Sequence, residues 1–176
     1  DYIDVDAYED LFAETLHYYE GDYQNANVSL NSIADNSLSD RLDGTIKAVT
    51  WYTRSDIALS QSIGNRPTYS YEYDVLGQLT GASLGNIATG LEFGYTNSAP
   101  ATYVSNSANA YGTSYDYDGN GNIVSLSRRS GTGTLFDQLT YNYPKDAGNQ
   151  LTGNQLLYIT DASSSSGISD EIQSQL

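Results

Sequence analysis

The feature that most constrains this chain is a short aromatic alternation that recurs along it. In Tyr69-Ser70-Tyr71-Glu72-Tyr73-Asp74 every second residue is aromatic and the residues between are polar, the period-two signature of a strand with one covered face. The same odd-position triad returns as Leu91, Phe93 and Tyr95, then as Thr113, Tyr115 and Tyr117, then as Leu139, Tyr141 and Tyr143. The last members fall at 73, 95, 117 and 143, and Trp51 lies 22 residues before Tyr73 in the strand-like segment Thr45–Arg54. The intervals are 22, 22, 22 and 26, the longer last step being assigned to two extra residues in the turn after Tyr143.

Each aromatic strand is followed by a turn and a second apolar strand. Asp74-Val75-Leu76-Gly77 leads into Gln78-Leu79-Thr80, and Asp118-Gly119-Asn120-Gly121 leads into Asn122-Ile123-Val124. Asp first and Gly fourth suit a type I turn, because the carboxylate accepts backbone N–H bonds and glycine takes positive φ. After Tyr143 the turn is rebuilt as Pro144-Lys145-Asp146-Ala147-Gly148, with Asn149-Gln150-Leu151-Thr152 following. One unit is therefore a hairpin of about 22 residues. A lone hairpin is marginal in water, whereas hairpins stacked edge to edge satisfy each other's backbone groups. The pattern predicts an all-β chain with an extended antiparallel sheet of repeated β-hairpins. It places Trp51, Tyr73, Tyr95, Tyr117 and Tyr143 at equivalent points on one face.

Composition agrees. Seventeen Tyr stand against three Phe and one Trp, which suits half-covered strands whose ring hydroxyls reach water or backbone acceptors.

Tyr71-Glu72-Tyr73-Asp74-Val75-Leu76-Gly77-Gln78-Leu79-Thr80 resembles the YD repeat of RHS proteins, whose core reads roughly Y-x-Y-D-x-x-G-x-L-T. Tyr115-Asp116-Tyr117-Asp118-Gly119-Asn120-Gly121-Asn122-Ile123-Val124 is a second close copy. Leu139–Thr152, with Tyr141, Tyr143, Gly148 and Leu151, is a third that puts Pro144 where the Asp belongs, and Leu91–Asn97 is a degenerate fourth. The resemblance covers roughly residues 44–161. It implies a bacterial segment of a spiral YD-repeat shell, secreted or on the cell surface, exported by a secretion machinery and structural, not enzymatic. Its implied partners are the rest of its own shell and an enclosed C-terminal effector or other cargo. Family members that carry toxins end the shell with an Asp-Pro motif that cleaves its own chain. No Asp-Pro occurs here, so the resemblance places cleavage site and effector outside this segment. The alternative reading is a surface adhesin or glycan-binding module on the same hairpins.

The chain holds no Met, which leads to the expectation that it is cut from a longer polypeptide. Cysteine is also absent, which removes disulfides, thiol nucleophiles and thiolate metal sites. No apolar run reaches the 18 residues of a membrane span, and no signal peptide is visible. Seven basic residues face 22 acidic ones, a formal charge of −15, which repels nucleic acid and favours a solvated surface. Residues 1–43 read as an N-terminal flank. Within it Ala7–Tyr19 fits a helix by spacing, or a repeat strand through Phe12, Glu14, Leu16 and Tyr18, and the resemblance favours the strand. Gln24–Asp40 reads as a long surface loop, and residues 162–176 as a Ser-rich loop running into the next repeat.

Every chemical motif has a plainer reading. Asp116-Tyr117-Asp118-Gly119-Asn120-Gly121-Asn122-Ile123 follows the first eight positions of an EF-hand loop, but the twelfth is Ser127 instead of a bidentate Glu. A hairpin turn explains each of these residues. Asp4, Asp6, Glu9 and Asp10 read as solvated surface, His17 as a bystander without a nucleophile elbow, and Arg128-Arg129 as too small for a binding patch. No cofactor motif occurs. Calcium titrated calorimetrically into the chain should show no site in the sensor range of about 10⁻⁷–10⁻⁵ M. Tight binding at Asp116–Asn122 would sink the hairpin reading of that segment.

Overall fold

A computed structural model of the chain describes residues 12–19, 24–25, 28–29, 38–53, 66–87, 103–106 and 108–163. The regular elements among them are all strands: β1 Phe12–His17, β2 Gln24–Asn25, β3 Val28–Ser29, β4 Ala48–Thr53, β5 Arg66–Tyr73 and β6 Leu79–Ile87. They continue with β7 Tyr103–Ser105, β8 Thr113–Tyr117, β9 Ile123–Arg129, β10 Leu135–Asn142 and β11 Tyr158–Asp161. Nine form an antiparallel sheet in the order β1-β4-β5-β6-β8-β9-β10-β11, with β7 also paired to β6. β2 and β3 pair separately, Gln24 opposite Ser29 and Asn25 opposite Val28. The expected loop over Gln24–Asp40 is thus corrected at Gln24–Asn25 and Val28–Ser29, which are paired strands, and residues 26–27 and 30–37 lie outside the described residues. Among the described residues no helix is long and apolar enough to cross a membrane.

The chain divides into two compact units, Asp1–Glu72 with Leu84–Asn106, and Tyr73–Ser83 with Ser107–Leu176. In the first, β1 runs antiparallel to β4 from Phe12 opposite Thr53 to His17 opposite Ala48. β4 in turn sets Ala48, Val49 and Thr50 against Ser70, Tyr69 and Thr68. The strand reading therefore holds for Phe12, Glu14 and Leu16, while Tyr18 lies one residue beyond the end of β1. Alternation gives this segment two different faces. One carries Trp51, Tyr69 and Tyr71, with centroids 5.8 Å apart for Trp51–Tyr69 and 6.5 Å for Tyr69–Tyr71, both stacked. The other carries His17, Ala48, Thr50, Thr68 and Ser70, all buried.

The aromatic rings are half-buried, but the expectation that theirs is the covered face is corrected in this unit: Thr68 on the opposite face is 0% exposed. The reason lies in what covers that face. Tyr103 of β7 packs with Ala48 and Ile87, and the Ser70 hydroxyl donates to the Tyr103 hydroxyl at 3.1 Å. Gly85 lets this happen, since a Cβ there would stand 2.5 Å from the Tyr103 ring and 2.4 Å from the Val104 carbonyl oxygen. Buried hydroxyls stay satisfied through a ladder in which His17 Nε2 meets Thr50 Oγ1 at 3.0 Å and Thr50 Oγ1 meets Thr68 Oγ1 at 3.0 Å.

In the second unit the alternation behaves as read. Along β8, Ser114 and Asp116 are exposed while Thr113, Tyr115 and Tyr117 are half-buried. Along β10, Asp137 and Leu139 are buried while Gln138 and Thr140 are exposed. Registers align these sets, with Tyr115 opposite Leu126 and Leu126 opposite Leu139. The equal 22-residue spacing does not extend to the sheet. β6 pairs directly with β8, Gly81 opposite Ser114, so no strand stands between them, and Leu91–Asn97 with Tyr95 lies outside the described residues. The longer last interval also needs correction. It lies before Tyr143, where β9 and β10 pair through a register shift between Leu135 and Asp137, so residues after Tyr143 cannot account for it.

Four turns share one geometry. Asp74 N donates to Gln78 O at 2.9 Å and Gly77 N to Asp74 O at 3.1 Å. The same two bonds recur from Asp118 to Asn122 and Gly121, from Ser130 to Thr134 and Gly133, and from Asp146 to Gln150 and Asn149. The fourth residue of each has positive φ: Gly77 79°, Gly121 83°, Gly133 79° and Asn149 63°. This is a three-residue hairpin loop closed by a left-handed residue. The turn placed at Pro144–Gly148 is therefore corrected to Asp146–Asn149. Asp146, not Pro144, takes the Asp place, and Asn149 takes the role assigned to Gly148. Leu151 makes only an isolated bridge to Lys145, and the return strand proper is β11.

Left-handed backbone costs a non-glycine residue about 1–2 kcal/mol. Gly121→Ala should lose stability of that order in denaturant unfolding, whereas Asn149→Gly should leave the midpoint unchanged or raise it. Equal effects of the two substitutions would contradict the shared turn geometry.

Candidate functional site

Three of these turns are held by an aspartate. Asp74 Oδ1 accepts from Leu76 N at 2.9 Å and Gln78 N at 2.8 Å. Asp118 Oδ1 accepts from Asn120 N and Asn122 N, both at 2.9 Å. Asp146 Oδ1 accepts from Gly148 N and Gln150 N, again at 2.9 Å. One carboxylate oxygen thus satisfies two donors that the tight loop leaves without strand partners. Asp118 goes further, its Oδ2 accepting from Asn122 Nδ2 at 2.8 Å. That side-chain bond, with the backbone bonds and against some desolvation, holds the carboxyl below the usual aspartate range. A carboxylate so occupied is a poor calcium ligand, and the turn reading accounts for all its contacts. Among the described residues no three His, Cys, Asp or Glu side chains group as a metal site.

Tyrosine hydroxyls tie one hairpin to the next. Tyr117 Oη donates to the carbonyl of Leu79 at 2.8 Å, and Tyr143 Oη to that of Ile123 at 2.9 Å. Leu79 and Ile123 each stand five residues after the Asp of the preceding turn, so the two bonds are the same bond repeated. Tyr117 and Tyr143 are equivalent by this measure. Burial, then a neighbouring tyrosine and a turn aspartate, raises the Tyr117 phenol; for Tyr143, burial is followed by Asp118 and Tyr141. Trp51 lies in the other unit, within β4 and stacked on Tyr69. Tyr71 stacks on the far side of the same ring, and Tyr73 closes β5.

An open groove of about 830 Å³ lies against the Asp118 and Asp146 hairpins. Tyr141, Tyr143 and Tyr158 line it together with Asn120, Asn142 and Asn149, and Asp118 and Lys145 bring one charge of each sign. Beside it Asn154 Oδ1 accepts from Asn120 Nδ2 at 3.2 Å and Asn122 Nδ2 at 3.0 Å, joining the two turns' neighbourhoods.

The remaining candidates have structural partners. Arg128 pairs with Asp137, whose side chain is 0% exposed, and lies 5.1 Å over the Phe136 ring. Arg129 Nη1 donates to the Gly133 carbonyl at 2.9 Å. His17 belongs to the buried hydroxyl ladder of the first unit. Asp4, Asp6, Glu9 and Asp10 lie outside the described residues. Sequence reading missed the Ser130–Gly133 turn, although Ser-x-x-Gly repeats the Asp-x-x-Gly spacing, and it missed Tyr103 and the pairing of Arg128 with the buried Asp137, which no local pattern announces.

No protein-family model matches the chain, and no curated protein or solved structure matches it significantly.

These shifts have opposite signs with pH. The folded Asp118 value lies below the about 3.9 of an unfolded Asp, so its contribution is present above that pH and is lost as pH falls through the folded value. The tyrosines are raised above about 10, so theirs is present below pH 10 and is lost as pH rises through the folded values. Tyr117→Phe and Tyr143→Phe should each lose about 0.5–1.5 kcal/mol, one net hydrogen bond, and flatten the alkaline limb of the stability profile. Asp118→Asn should flatten the acid limb, because an amide does not titrate in this range, and should cost stability at every pH by setting a donor against Asn122 Nδ2. Unchanged limbs in urea titrations across pH would refute the two assignments.

Proposed function

We propose that this chain is a structural segment of an RHS/YD-repeat shell that encapsulates or presents a C-terminal toxin or other cargo, secreted or displayed at a bacterial surface. The observation that carries the proposal is the repeated tyrosine-to-carbonyl bond, Tyr117 to Leu79 and Tyr143 to Ile123. A bond made only between successive hairpins is a rule for extending a sheet, not for building a catalytic pocket. Two further features support the reading. The aspartate turns follow the Y-x-Y-D-x-x-G pattern at Tyr71–Gly77 and Tyr115–Gly121, and the charge of −15 keeps a large exposed wall soluble while repelling nucleic acid. On this reading the chain has no enzymatic activity of its own, and its partners are neighbouring hairpins and the enclosed effector.

The test is limited proteolysis of the parent polypeptide with electron microscopy of the same particles. The expected result is a hollow particle within which the segment C-terminal to the repeats resists protease until the wall is opened. An open ribbon carrying a surface anchor and enclosing nothing would overturn the proposal and favour an adhesin.

A further inference from the structure

We propose that the groove against the Asp118 and Asp146 hairpins binds a short neutral oligosaccharide. The inference does not rest on the shell reading, since a wall segment and a surface adhesin could equally present such a groove.

The lining selects the ligand class. Tyr141, Tyr143 and Tyr158 offer aromatic surface, and the Tyr143 hydroxyl is committed to the Ile123 carbonyl, so its contribution is its ring. A pyranose presents just such a need, an apolar C–H face edged by hydroxyls. Around the rings stand Asn142, Asn149 and Gln150, whose side-chain amides each carry donors and an acceptor. A sugar hydroxyl also donates and accepts, so amides match it where a purely cationic lining would not. Asp118 stays ionised and sits opposite Lys145 in sign, leaving no local excess of positive charge for a phosphate, sulfate or uronate. A wholly apolar ligand is disfavoured by the Thr140, Asn and Gln members of the wall. The volume of about 830 Å³ falls in the range of small-molecule sites, about 300–1,000 Å³.

Two positions separate binding from folding. Tyr158 is 40% exposed on β11, and Asn149 carries an exposed side chain on a left-handed backbone that glycine adopts without strain. The experiment is titration calorimetry and tyrosine NMR line-broadening on the whole chain. The probes are uncharged tetrasaccharides of glucose, mannose and N-acetylglucosamine, with a sulfated and a uronate-containing tetrasaccharide as the charged arm. The expected result is binding of at least one uncharged probe and of neither charged one. Tyr158→Ala should weaken binding about tenfold, the equivalent of one stacked ring. Asn149→Gly should weaken binding while leaving thermal stability undiminished. No binding of uncharged probes at millimolar concentration, binding confined to charged probes, or binding unmoved by both variants would each overturn the site. None of these outcomes bears on whether the parent polypeptide encloses a cargo.

Discussion

The three aspartate-held hairpins depend on a single oxygen used twice. When a chain reverses direction over three residues, its loop N–H groups have no strand opposite them. In these turns a carboxylate at the first position reaches over and takes two of those groups, while the fourth residue turns left-handed to rejoin the ladder. Register follows from that choice, because a loop of fixed length fixes which residues face each other across the hairpin. Once Asp118 is placed, Tyr117 meets Ile123; a one-residue register shift between Asp116 and Tyr117 then sets Tyr115 opposite Leu126, and through Leu126 the face reaches Leu139. Ser130 shows how much of this is the carboxylate and how much the backbone. Its hydroxyl takes one loop N–H, that of Thr132 at 3.3 Å, and shares a bond with the Thr132 hydroxyl at 2.9 Å, yet the two backbone bonds and the left-handed glycine persist.

Tyrosine does two jobs that phenylalanine cannot combine. Its ring covers a pleated surface without demanding full burial, and its hydroxyl reaches a carbonyl on the preceding hairpin. That the rings are half-buried matters for energetics. A fully buried aromatic is worth about 3–5 kcal/mol on truncation, whereas these rings divide their contribution among partial burial, stacking and one hydrogen bond. In the first unit the division is starker, since the tightest packing lies under threonine, serine and alanine, and the stacked Trp51–Tyr69–Tyr71 row sits on the wetter side.

Much of this could be read from residues alone. The strands through Tyr69–Tyr73 and Thr113–Tyr117 and the turns at Asp74 and Asp118 follow from alternation and turn chemistry, both strictly local. What failed was anything decided by a partner far along the chain. Which face of β4 and β5 is covered depends on Tyr103, thirty-three residues beyond Ser70. The third turn was misplaced because Pro144 invites a turn, while the deciding feature is a carboxylate two residues later with Asn149 able to turn left-handed. Equal spacing at 22 residues proved a weaker guide than hydrogen-bonding chemistry, for β6 passes directly to β8. The groove was illegible because the Asp118 turn, β9, β10, β11 and the chain between the last two assemble it jointly.

The tyrosine bonds also have a direction. In both cases the donor lies later in the chain than its acceptor, 38 residues later for Tyr117 and 20 for Tyr143. A polypeptide leaving the ribosome therefore presents each tyrosine to a carbonyl that has already emerged within a completed turn. For these two bonds the acceptor hairpin need not wait for one not yet made. For these two hairpins growth from the amino end is templated step by step, which limits how long their strands are open to a wrong partner.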